Sequence, residues 1–133
     1  MADHDDRERY LALAEAVIGA YAYIAALLED LPIPVIIPDI VKMADDGEDP
    51  TDALLALSRV RAVIEDEPIS EFHRRAFEHM VLDWFAAYEI ITLVKIAGPA
   101  PWRLDTVEFA LQRLVTWAEV IENDEEEPDD SQS

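Results

Sequence analysis

The chain of 133 residues carries 30 acidic against 10 basic side chains, a net charge of -20, and contains no cysteine. This excludes a disulfide scaffold, a thiolate metal site, a cysteine nucleophile and thiol redox chemistry, and it opposes direct contact with nucleic acid, whose phosphates are repelled. A hydrophobic share of 51% with 19 alanines and only 3 glycines separates the chain from disordered acidic sequences and favours helix within one ordinary domain.

The first helix is predicted over Asp6–Asp30. Tyr10, Ala14, Val17, Tyr21, Ile24, Leu28 and Leu31 follow at spacings of 4, 3, 4, 3, 4 and 3, a heptad stripe. A second stripe on the other side, Ala12, Glu15, Gly19, Ala22 and Ala26, is mostly small. Glycine inside a helix costs about 1 kcal/mol relative to alanine. Gly19 therefore signals either a close approach to this backbone or simply one member of an exposed alanine face. The segment Leu31–Pro38 carries three prolines, which favour extended geometry. Its Ile33, Val35, Ile36 and Ile37 are expected to pack across the bundle. A short helix from Pro38 to Asp45 follows, stopped by Gly47.

The next helix spans Pro50–Asp66, capped by Asp49, with Ala53, Leu57, Val60 and Ile64 as its stripe. A long helix spans Pro68–Ala97 and stops at Gly98-Pro99. Its first half offers pairs at i,i+4: Glu71 with Arg75, Arg74 with Glu78, and His79 with Asp83. Its second half has apolar residues all round, which reads as a central helix or an interface. The last helix spans Arg103–Asn123 on the stripe Val107, Leu111, Leu114, Ala118 and Ile121. The fold class is therefore all-α: a bundle of four main helices plus one short helix after a Pro-rich extended segment. Residues 1–123 form the domain and 124–133 an acidic disordered tail.

Chemistry is sparse. His73 and His79 stand six apart, not the four that places two ligands on one helix face. No Glu-x-x-His pair, glycine-rich phosphate loop or serine elbow occurs. His4 among Asp3, Asp5 and Asp6, and His79 with Asp83, are only weak cation sites. The aromatics Trp84, Phe85, Tyr88, Trp102, Phe109 and Trp117 read as core. No enzyme activity, cofactor or metal is expected.

Charge collects at four places: residues 1–8, 45–52, 65–71 and 122–133 together hold 20 of the 30 acids. Asp45, Asp46, Glu48, Asp49, Glu65, Asp66 and Glu67 are expected as acidic surface, with the two groups brought near each other. The basic residues are eight arginines with Lys42 and Lys95, a bias that fits a high-salt cytoplasm or a GC-rich genome. The acidic start of the chain is unlike a signal peptide, and the longest charge-free run, Ala16–Leu28, is shorter than the roughly 20 residues of a membrane span. A cytoplasmic protein off the membrane is expected.

Helices of about 38 and 45 Å are long for a globule of about 14 Å radius of gyration. They point to a homodimer or larger assembly, with Gly19, Ala22 and Ala26 of the first helix and Trp84, Tyr88 and Ile91 of the long helix at the interface. The rival is a monomer in which those helices form the buried pair. The function expected is a small acidic protein-interaction module, an adaptor, assembly chaperone or inhibitor. Alternatives are a DNA mimic that blocks a nucleic-acid-binding protein, as small acidic phage proteins do, and a bundle enzyme using carboxylates. Because 20 like charges repel most in the compact state, the melting temperature should rise from low salt to about 0.5 M NaCl, with most of the gain by about 0.2 M. A flat or falling curve in a thermal-melt series would show that ion pairs dominate instead.

Overall fold

The computed structural model describes the backbone of residues 2–126 and the side chains of residues 5–123. Those residues are all-α, with helices α1 (Ala2–Glu29), α2 (Ile40–Asp45), α3 (Thr51–Ile64), α4 (Glu71–Ala97) and α5 (Pro101–Glu126), and no strand occurs among them. Helix α5 runs on through residues 124–126, where a disordered tail was expected. The remainder of that tail, residues 127–133, lies outside the described residues, as does the side chain of His4.

The heptad stripes become the core. Val17, Tyr21, Ile24 and Leu28 of α1, all four stripe residues of α3, and Val107, Leu114, Ala118 and Ile121 of α5 are buried. Helix α4 is the central element and packs against α1, α3 and α5. Trp84 sits in its middle with no exposed surface. Its indole Nε1 donates to the Val17 carbonyl at 2.8 Å. Tyr21 meets it edge-on at 5.4 Å, Phe85 edge-on at 5.3 Å, and Tyr88 stacks on it at 5.1 Å.

Local chemistry moves the starts of α2, α3 and α4 inward from the expected ones, whereas α1 and α5 start earlier, at Ala2 in place of Asp6 and at Pro101 in place of Arg103. Asp39 caps α2 by accepting from the amides of Val41 and Lys42, so Pro38 stays outside the helix. Ser70 accepts from the His73 amide and starts α4, while residues 65–69 form turns. Gly47 and Gly98 take positive φ values of 71° and 106° where α2 and α4 end, conformations that side-chain-bearing residues avoid.

The proline segment is tied down by hydrogen bonds rather than by full burial. Val35 N donates to the Leu28 carbonyl at 3.0 Å, Tyr21 Oη to the Pro38 carbonyl at 2.8 Å, and Ile33 N to Glu67 Oε1 at 3.1 Å. Only Val35 and Ile37 turn partly inward. Ile33 and Ile36 are exposed, against expectation: Ile36 alternates with Val35 and Ile37 along the extended chain, and Ile33 sits in the bend that follows α1. Gly19 is corrected too: a Cβ built there meets nothing within 4 Å, so none of the described residues approaches it closely.

Trp84→Ala should cost about 3–5 kcal/mol of unfolding free energy. Denaturant titration would show it; a loss below 1 kcal/mol, about the cost of one neutral hydrogen bond, would mean that the cavity refills and that Trp84 is not the keystone of the core.

Candidate functional site

The residues expected at an interface divide by location. Gly19, Ala22 and Ala26 lie exposed on α1. Trp84 and Ile91 are buried and Tyr88 is half-buried against Trp84, so this trio belongs to the core and is not a surface. The error lies in the choice of face, since α4 is apolar on nearly every side. The stripe Leu82, Ala86, Glu89, Leu93 and Ile96, at spacings 4, 3, 4 and 3, points the other way. Leu82, Leu93 and Ile96 are exposed, Ile96 to 80%. That heptad was legible in the sequence beside the core stripe of the same helix.

Helix α5 adds to the same outer side. Arg113 Nη2 lies 3.6 Å from Asp83 Oδ1 on α4, and its guanidinium covers the Phe109 ring at 5.8 Å. Phe109 is thereby placed on the outer α4–α5 seam. Trp102 stands two helical turns before it, on the same face, with Arg103 at 5.7 Å over its ring. Phe109 is 60% and Trp102 67% exposed, where the sequence placed both in the core. Further along the seam His79 stacks flat on Trp117, ring centres 4.6 Å apart.

The acidic clusters do not merge. Asp45, Asp46, Glu48 and Asp49 lie before α3 and are exposed; Glu65 and Asp66 lie after it and are exposed. The 14-residue helix between them is about 21 Å long. Glu67 is corrected outright: it is only 2% exposed and uses Oε1 to hold the Ile33 amide. Its carbonyl accepts from Arg74 Nη2 at 2.9 Å. Arg74 and Arg75 both reach Glu71 at 3.5 Å, and Arg61 takes Glu78 at 2.9 Å, replacing the expected Arg74–Glu78 pair. A cleft of about 340 Å³ between α3 and α4 contains these three arginines with Glu65, Glu71 and Glu78. Its charges balance, and these pairs are too exposed to contribute much stability.

Among the described residues no group of three or more His, Asp or Glu could hold a metal ion. Asp83 is the one buried carboxylate on the α4–α5 seam, and its Oδ2 has no hydrogen-bond partner among the described residues. Burial pushes its pKa up, against the lowering pull of Arg113 and His79. A raised carboxyl pKa means that the fold favours the neutral form. Its stabilising contribution is present below the ordinary value of 3.8 and is lost as pH rises through the higher folded value. Asp83→Asn should therefore gain stability over the wild type as pH rises from about 3, below the ordinary carboxyl value, to 7. Paired melting curves would check this; a difference that shrinks or reverses with pH would mean that the attraction of Arg113 outweighs desolvation.

By length and composition alone, α1 from Asp5 to Glu29 is apolar enough to cross a membrane, because Glu15 is the only charged residue between Tyr10 and Leu28. One side of that helix is accounted for by the core. No family model matches the chain, and no curated protein or solved structure is significantly similar to it.

Proposed function

We propose that this protein is a noncatalytic protein-interaction module, a helical bundle that assembles as a homodimer through the outer face of α4 and α5. The observation that carries the reading is the exposed set Leu82, Leu93, Ile96, Trp102 and Phe109. Trp102 and Phe109 together expose about 250 Å² of ring surface, roughly a third of the ~800 Å² per partner in a standard interface. The leucines and isoleucine extend it.

Charge argues for a second copy at this face. Residues 79–113 contain the acids Asp83, Glu89, Asp105 and Glu108 and the bases Lys95, Arg103 and Arg113, a balance of -1 in a chain of net charge -20. Arg113 lies beside Phe109. Two such chains can meet here with little like-charge repulsion. A two-fold axis would make the contact self-complementary. The DNA-mimic reading draws less support, because its acids stand at opposite ends of α3 and Glu67 is turned inward.

Sedimentation equilibrium should give twice the chain mass of 15.0 kDa for the wild type. The double variant Trp102→Glu, Phe109→Glu should sediment as a monomer with unchanged helical circular dichroism. A wild type that stays monomeric at high micromolar concentration would overturn the assignment.

A further inference from the structure

We infer that the groove between α1 and α5, on the opposite edge of α5 from the dimer face, docks a cationic amphipathic helix of a partner protein. This rests on the reading of the chain as an interaction module and names the chemistry of what it binds.

The floor is apolar and shallow. Ala16, Gly19 and Ala20 of α1 face Leu111, Leu114 and Val115 of α5 around a depression of about 230 Å³. A second depression of about 460 Å³ shares Leu111 and Val115 and continues the groove along α5 past Glu108 and Glu119. Val115 is exposed, and the space above Gly19 is empty to 4 Å. Small residues on one wall and branched apolar ones on the other leave room for a narrow apolar stripe, the shape that one face of a helix presents.

The α5 wall is acidic. Glu108 and Glu119 line it, and Glu122 follows one turn later beside Tyr23. Tyr23 Oη donates to Glu122 at 2.7 Å and holds that carboxylate at the rim. Burial and the neighbouring Glu122 push the Tyr23 pKa up to about 12, so the hydroxyl keeps its proton. Arg9 sits at one end and is occupied by Asp105 and Glu108, both at 2.7 Å. An apolar floor beside a row of carboxylates selects lysines and arginines flanking an apolar stripe. Glu108 to Glu122 spans about 21 Å, four turns of such a helix.

A second copy is a poor source of this segment. Its most basic described helix, α3, carries only Arg59 and Arg61 against Asp52, and Arg61 is engaged with Glu78; Arg74, Arg75 and Arg113 are engaged with Glu71 and Asp83. Nucleic acid and anionic lipid would set phosphate against the acidic wall.

The test is fluorescence anisotropy of a four-turn synthetic peptide, leucines at heptad positions and lysines beside them, titrated with the full chain. The wild type should bind it, and more weakly in high salt. Val115→Lys, Glu119→Lys and Gly19→Leu should each weaken binding by about tenfold or more, while retaining the wild-type sedimenting mass and folded circular dichroism. The Trp102→Glu, Phe109→Glu variant should bind as the wild type does, so failure of the dimer face and failure of the groove are separable. A scrambled peptide of equal charge that binds equally well would overturn the proposal, leaving only general attraction between opposite charges. So would unchanged binding by Val115→Lys, or peptide binding lost only in the α4–α5 variant. Partition of the chain into phosphatidylcholine vesicles, abolished by Val115→Lys, would reassign the groove to lipid.

Discussion

The hydrogen bond from the Trp84 indole to the Val17 carbonyl is the constraint on which the arrangement depends. It joins α1 to α4 at their middles and fills the space between them with the largest side chain in the core. Tyr21, in edge contact with that indole, carries the constraint outward, because its hydroxyl holds the Pro38 carbonyl. The proline segment is thereby pinned to α1, and Glu67 pins its other end to the turn before α4. Once these faces are committed inward, the outward faces of both helices follow from the 3.6-residue repeat.

Helix α5 then has two edges with opposite character. Towards α4 it shows Trp102, Phe109 and Arg113, two exposed aromatics beneath guanidinium groups. Towards α1 it shows Leu111, Val115 and Glu119, an apolar strip under a carboxylate wall. Near neutrality on the first edge and acidity on the second divide a strongly charged chain into surfaces of different preference. The physical basis is the distance dependence of charge repulsion: the net charge of -20 describes the whole molecule and hardly describes the residues between His79 and Leu104.

Asp83 lies within the nearly neutral edge and shows the cost of placing a carboxylate there. Its single arginine partner stands at 3.6 Å, and desolvation outweighs that attraction. The stack of His79 on Trp117 covers the next turn of the seam. The seam is thus held by packing, and its polar groups adjust to the packing.

Local and periodic features were legible in the sequence by itself. They include the helical class, the core stripes of α1, α3 and α5, the stop signals at Gly47 and Gly98, and the absence of thiol chemistry. Each depends on residues within a few turns of one another, where spacing and backbone preference decide. The tertiary structure alone decided which side of α4 is buried, because Trp84 and Leu82 are equally apolar and only the position of α1 distinguishes them. It also turned Glu67 inward, where the Ile33 amide needs an acceptor, and left Trp102 and Phe109 outside, since no helix among the described residues covers that edge of α5. The separation of the two acidic groups came from the length of α3, and the groove beside Gly19 from the meeting of helices more than 80 residues apart in sequence. Burial is a property of what stands opposite a side chain, and periodicity along one helix does not contain it.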